Sequence, residues 1–410
     1  MASSGYRITI LSCGVLMIVS AFCIAPAMSA EKVLHSFQGG SDGSYPASTL
    51  IADNTGNLYG TTANGGGGTG CQGSYGCGTV FRLAPDGTES VLHAFAGGTD
   101  GAFPLGGLIP DNAGNYYGTT SQGGTTGCNR GGCGTVFKLA PDGTESVLYA
   151  FQGGSDGWYP VGGLVADSGG NLYGTTQFGG DTSCPLGVGG CGTVFQIAPD
   201  GKETVLHAFQ GGSDGIAPSG ALLMDKAGNL YGMTIQGGDG QGGPYGVVFK
   251  IAPGGGETIL HSFGGSPDGS WPYGSLLLDD AGNLYGTTGQ GGEYDRGTVF
   301  RVAQNGTETV LYAFGDGSYG KRPEAGLVAD KAGNLYGTTF YGRGCKQGAC
   351  GTVFKLAPDG TETVLYAFKG HGQPRGANPA APLLLKNGLL YGTTTTGGIN
   401  NDGVVFSVRK

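Results

Sequence analysis

A seven-bladed, all-β propeller is the fold this chain predicts, and three observations predict it. A unit close to GTVFKLAPDGTETVLYAFQGGSDG recurs along the chain. Its VLxxF element begins at Val33, Val91, Val147, Val205, Ile259, Val310 and Val364, spaced 51 to 58 residues apart. The apolar runs inside the unit are short, rich in Val, Leu and Phe, and separated by Gly, Asn and Asp, as strands joined by tight turns require. Sheets this small cannot bury both faces alone, so successive units must stack, and a ring is the stack without open ends.

Each unit supplies four strand signals. The first, strand A, is the GGLVAD type (Gly106–Asp111, Gly162–Asp167), and an AGN turn leads to strand B, NLYGTT. After a variable loop comes strand C, GTVFKLA. A PDGT turn then leads to strand D, ETVLYAF, because Pro presets φ and Asp-Gly accepts hairpin geometry. Strands of five to eight residues are expected. The first D strand, Lys32–Phe37, precedes any complete unit, and the last unit ends on a C strand, Gly403–Val408. The N-terminal strand is therefore expected to complete blade seven, which removes the open sheet edge.

Composition supports an ordered chain. Glycine accounts for 90 of 410 residues without a Gly-X-Y period, and only 12% of residues are charged, which excludes a collagen and a disordered polyelectrolyte. Lys and Arg number 21 against 30 Asp and Glu, a net charge of −9 that argues against nucleic-acid binding. Residues 1–30 have the pattern of a secretory signal: Arg7, an apolar run from Ile8 to Ile24, and cleavage after Ala27 or Ala30. An uncleaved anchor is the alternative. Residues 31–410 are expected to form one propeller domain, secreted or periplasmic, without membrane contact after cleavage, and monomeric.

Eight cysteines follow the leader in four close pairs: Cys71/Cys77, Cys128/Cys133, Cys184/Cys191 and Cys345/Cys350. Each pair sits between YGTT and GTVF of a different unit, and no histidine accompanies it. Zinc needs four converging ligands, so local disulfides are the expected reading. No metal or other cofactor is expected.

The strand order resembles that of NHL-type propeller blades, which implies that the GGLVAD-type strand A lies innermost. The unit also closely resembles the tandem GloVer repeat of exported bacterial proteins, through GTVFKLAPDGTE (134–145 and 351–362) and AGNLYGTT (281–288 and 332–339). The resemblance covers essentially the whole chain after the leader. It implies export and implies no activity.

In this topology the D–A and B–C loops share one face, and the short A–B and C–D turns share the other. Asp53, Asp111, Asp167, Asp225, Asp279 and Asp330 recur in the A–B turns, where bonds to the turn backbone account for them. The D–A loops carry Asp42, Asp100, Asp156, Asp214 and Asp268 beside Tyr45, Phe103, Tyr159 and Trp271, with Trp158 next to Tyr159. Acceptors beside flat rings suit sugars, and a ring of carboxylates suits calcium. The competing reading is that Asp-Gly closes a turn and the aromatic covers the seam between blades. Breaks in the repeat place Arg296, Lys321, Arg322, Arg343, Lys346, Lys369 and Arg375 on this same face as one basic sector, for which solvated surface charge is the bland reading. His35, His93, His207 and His261 alternate with Tyr149, Tyr312 and Tyr366 at one D-strand position, which argues for packing. Only His371 lies off the repeat.

The strand A starts are small (PASTL, PLGGL, PVGGL, PSGAL, PYGSL, PEAGL, PAAPL), so only Glu324 and Tyr273 offer functional side chains to the channel. A binding or scaffold protein recognising a glycan or protein through the D–A/B–C face is the leading expectation. The enzyme alternative is a lyase or hydrolase acting on an anionic carbohydrate. There Arg322, Arg343 and Arg375 would hold a carboxylate, and His371, Tyr341 or Glu324 would exchange the proton. A purely structural surface protein is the third reading.

Overall fold

In the computed structural model, the described residues are 31–410 apart from 72–74, 129–130, 182, 185–188, 240–244, 316–319, 343–349 and 371–374. The expected leader therefore lies outside them. Seven four-stranded antiparallel sheets form the ring. Blade one runs through Ile51–Ala52, Leu58–Thr62, Thr79–Leu83 and Glu89–Ala94. Blades two to six repeat that order. Blade seven is built from Leu384–Lys386, Leu389–Thr394 and Val404–Arg409, and its outer strand is the N-terminal Lys32–Ser36. The closing pair runs antiparallel, with Lys32 opposite Ser407 and Ser36 opposite Val404.

The inner strands are shorter than expected. In blades one, two, three, five and six strand A pairs over only two residues, as at Val165–Ala166, whereas in blade four it runs from Ile216 to Met224. Crowding at the ring centre explains this. A Cβ on Gly162 would lie 2.2 Å from the Gly220 carbonyl oxygen, and one on Gly106 would lie 2.6 Å from that of Gly162. Neighbouring backbones meet there directly, and small residues are what that approach permits. Threonines of strand B bond these segments across blades: Thr119 Oγ1 donates to the Gly162 oxygen (3.0 Å) and Thr287 Oγ1 to that of Ala325 (2.9 Å).

Two phenylalanines per unit join the blades. The C-strand phenylalanine (Phe81, Phe137, Phe195, Phe249, Phe300, Phe354, Phe406) is fully buried in its own sheet. The D-strand phenylalanine of the preceding blade meets it edge to face, at centroid distances of 5.1 to 5.3 Å in all seven seams, from Phe37–Phe81 to Phe368–Phe406. The glycine of NLYGTT exists for this ring: a Cβ on Gly174 would stand 2.6 Å from Phe195 Cζ.

Three of the expected disulfides are formed, Cys71–Cys77, Cys128–Cys133 and Cys184–Cys191, with Cα separations of 5.6, 5.1 and 5.4 Å. The fourth expected pair, Cys345/Cys350, does not join these three, because Cys345 lies outside the described residues. Cys350 itself is disulfide-bonded and buried in one core cluster with Val353 and Phe368, the place its counterparts Cys77, Cys133 and Cys191 take in their own blades. No helix among the described residues is long and apolar enough to cross a membrane.

If the closing seam is packed like the others, Phe37→Ala and Phe209→Ala should destabilise the protein alike, each by about 3–5 kcal/mol. Denaturant titration of both variants measures this. A clearly smaller loss for Phe37→Ala would show that the N-terminal strand adds little to ring closure.

Candidate functional site

Among the described residues, a polar clasp recurs at the outer rim from seam to seam. The D–A loop aspartate folds back on its own loop, as Gln152 N–H donates to Asp156 Oδ2 (2.7 Å) and Gly264 N–H to Asp268 Oδ2 (2.8 Å). The same carboxylate takes a bond from the D-strand ring: His93 Nε2 lies 3.2 Å from Asp100, His207 Nε2 3.0 Å from Asp214, and the Tyr149 hydroxyl donates to Asp156 at 2.9 Å. These aspartates are thus committed to loop closure, in line with the turn reading. Those of the A–B turns are committed likewise: Asp167 accepts from the backbone N–H of Gly169 and Asn171 and from the Tyr173 hydroxyl.

Sequence reasoning passed over the third member of the clasp, the glutamate that opens each D strand. Its partner belongs to the preceding blade, so only the fold brings them together. His93, Asp100 and Glu145 converge, as do His207, Asp214 and Glu257, and His261, Asp268 and Glu308, with ligand-type atoms within 4.8 Å of one another in each set. A phenol does the same work where Tyr149 replaces histidine, so the clasp does not depend on a metal-ligating ring. Burial, and then the neighbouring aspartate, push Glu89, Glu145, Glu203 and Glu308 up to about 7. In the Asp214/Glu257 pair burial and the Asp214 carboxylate raise Glu257, while hydrogen bonds from His207 and Glu257 outweigh burial and hold Asp214 low.

Nearer the axis, one residue per blade has a left-handed backbone. Tyr45, Phe103, Tyr159, Ala217, Trp271, Arg322 and Asn378 have φ between 56° and 64°, and each directly precedes a proline. The N–H of each reaches back to the preceding blade and its carbonyl accepts from its own: Phe103 N–H donates to the Cys77 oxygen (2.8 Å), and Ser121 N–H donates to the Phe103 oxygen (3.1 Å). The following proline fills space over the GTVF glycine; a Cβ on Gly78 would lie 2.6 Å from Pro104 Cδ. Only one of the seven is alanine and none is glycine, although glycine would carry no steric cost there. The side chains differ from blade to blade while the backbone does not.

Two residues on from each of these seven, Ala47, Leu105, Val161, Ser219, Tyr273, Glu324 and Ala380 line a cavity of about 460 Å³ bounded by inner segments of all seven blades, so the left-handed residues stand just outside its wall, at the end here called the mouth. Most of its wall is small or apolar; Glu324, Tyr273 and Gln177 are its larger polar side chains. Glu324 forms an ion pair with Arg322. The Arg322 guanidinium also lies over the Tyr341 ring, 5.8 Å from its centroid, with Lys321 Nζ at 5.7 Å from the same ring. The Tyr273 phenol is within reach of both Arg322 and Glu324, and burial raises its pKa. Tyr45 approaches from blade one: burial and the Glu324 charge raise its pKa, and Thr395 offers it a hydrogen bond. Burial raises the Glu324 carboxyl, opposed by Arg322. The cluster therefore spans blades five, six, seven and one, leaving the opposite arc to aromatic rings. There Trp158 stacks on Phe178 at 4.6 Å, and Tyr159 lies 5.8 Å from the same ring.

The expected basic sector divides. Lys321 and Arg322 belong to the mouth, and Arg296 accepts the Arg322 N–H through its carbonyl oxygen (2.8 Å). Arg375 goes to the rim instead. It donates to the Tyr366 hydroxyl (3.2 Å), which donates in turn to Glu31 (2.8 Å), so Arg375 stands where other seams have aspartate. Lys369 is exposed. Arg343, Lys346 and His371 lie outside the described residues. Trp271 is half-buried, 6.4 Å from Tyr273 between centroids.

The chain matches the Gloeobacter/Verrucomicrobia repeat over residues 20–185, 127–350 and 182–406. No curated protein matches. Among solved structures it is similar to the extracellular domain of a putative one-component system from B. thetaiotaomicron, at 11% identity and a TM-score of 0.53, covering 92% of this chain and 40% of that one. It is also similar to a putative gluconolactonase (14% identity, 94% and 93% covered, TM-score 0.41) and to a luciferin-regenerating enzyme (13%, 93% and 95%, 0.45). At these identities the likeness concerns the fold.

The clasp predicts a pH dependence of stability. An unfolded glutamate titrates near ~4.3, and in the folded ring four of them titrate at about 7. The folded state therefore holds extra protons, and their stabilisation is complete below the unfolded value and lost as pH rises to 7. The melting temperature should be higher at pH 5 than at pH 8. Glu145→Gln/Glu203→Gln/Glu308→Gln should flatten that slope; a slope unchanged in the triple variant would exclude the clasp as its source.

Proposed function

Since the chain belongs to the Gloeobacter/Verrucomicrobia repeat family, a membership that carries an architecture and no chemistry, we propose from the channel mouth that it is an exported propeller binding carbohydrate on its D–A/B–C face. The observation that carries this is the ring of left-handed pre-proline residues. The fold holds seven identical backbone positions in a costly conformation and fills them with different side chains, four of them aromatic. Flat rings beside hydroxyl, amide and carboxyl groups are what sugar C–H faces and hydroxyls require. The cavity volume falls within the ~300–1,000 Å³ usual for small-ligand sites. Export is supported by the leader pattern and by the disulfides, which persist in oxidising compartments.

Tyr45, Trp271, Trp158 and Tyr159 are the stacking candidates. Glu324, Arg322 and Tyr273 supply the polar contacts. A glycan array probed with the chain from Glu31 onward should retain a defined subset of oligosaccharides. Trp271→Ala and Tyr45→Ala should each weaken the best of these about tenfold by calorimetry, a loss typical of one stacked ring. An array without retained glycans would refute the reading, as would affinities indifferent to both variants. Release of product from retained oligosaccharides, followed in the same samples, separates binding from turnover and tests the lyase or hydrolase alternative.

A further inference from the structure

Resting on the carbohydrate reading, we propose that the mouth selects acidic sugars by exchange: a uronate carboxylate takes the Arg322 guanidinium from Glu324, and Glu324 takes up a proton. Arg322 is the one cation among the seven ring residues, in a protein whose net charge is −9. Its neighbours make it a replaceable ion pair and not a fixed one. It is stacked on Tyr341, which orients the guanidinium without consuming its donors, and the Glu324 carboxylate is its charge partner. A planar guanidinium suits the two oxygens of a carboxylate.

Adding a second anion beside Glu324 in a largely apolar channel would leave a buried carboxylate without its counter-ion, which is costly. Protonation removes that cost. Glu324 already lies where burial favours its neutral form, with Arg322 opposing. The other titratable groups facing it are the phenols of Tyr273 and Tyr45, with Tyr341 beyond Arg322, and none offers a competing positive charge. Lys321 is an exposed cation, its Nζ 5.7 Å from the centroid of the same Tyr341 ring. The exchange balances: the ion pair, the ligand carboxylate and one proton give a neutral glutamic acid and a new ion pair. As protonated Glu324 can donate a hydrogen bond, it would also serve a sugar hydroxyl.

The proton makes affinity pH-dependent, with a definite sign. Binding coupled to uptake tightens as pH falls, until the ligand's own carboxylate protonates. The test is calorimetry on the chain from Glu31 onward with trigalacturonate and with neutral galactotriose, at pH 5 and pH 7, in buffers of differing ionisation enthalpy. Trigalacturonate should bind about tenfold tighter than galactotriose at pH 5, weaken about tenfold by pH 7, and take up close to one proton at pH 7. Glu324→Gln should bind trigalacturonate more tightly at pH 7, without proton uptake and without pH dependence. Arg322→Gln should lose the preference for the acid while keeping galactotriose, with an unchanged melting temperature showing that it folds. Equal binding of the two sugars at pH 5 would overturn the proposal and leave the carbohydrate reading standing. So would proton uptake that survives in Glu324→Gln. Binding of neither sugar, together with an empty glycan array, would remove both.

Discussion

The contact on which everything else depends is the edge-to-face meeting of two phenylalanines across each seam. One belongs to the outer strand of a blade and the other to the third strand of the next, so no blade completes its core alone. Each meeting is buried from water and repeated at nearly constant distance around the ring. The constancy fixes the angle between blades, and that angle fixes how close the inner backbones come. The small inner residues, the glycine beneath each ring and the narrow channel follow from it. A propeller of this type is a closed chain of interlocking cores.

A second layer of order lies on top of this symmetric frame. The rim clasps repeat with minor substitutions, histidine for tyrosine and, at one seam, arginine for aspartate. The mouth does not repeat: its backbone is sevenfold while its side chains are individual. Separating the two explains why the outer histidines, though chemically suggestive, belong to the frame, and why a single arginine–glutamate pair at the inner edge stands apart. Strain held constant across blades while identity varies is the pattern expected where a backbone has been standardised to present side chains.

Much of this was legible in the residues. The repeat spacing, the turn chemistry, the closing N-terminal strand and the local cysteine pairs each follow from short-range rules, and three of those pairs are bonded in the structure. Three features were not legible. The inner strands pair over two residues because of crowding between neighbouring blades, which one unit's sequence does not contain. The ring at the mouth runs against the local rule, since a residue before proline is ordinarily driven to extended backbone; only hydrogen bonds to two blades hold it otherwise. And Arg375 resembled part of a basic surface because Glu31, which it reaches through the Tyr366 hydroxyl, lies more than three hundred residues away in sequence.

The closing seam imposes an order in time. Lys32 and Ser407 are neighbours in space and nearly the whole chain apart in sequence. During synthesis the first strand is made first and finds its strand partner last: Phe37 can meet Phe81 of blade one early, but the strand's edge stays unpaired until Val404–Arg409 appears. Pairings this distant are slow and leave apolar surface exposed meanwhile. A nascent chain of this design spends most of its assembly as an open arc with a sticky leading end, and the ring exists only once its final strand has arrived.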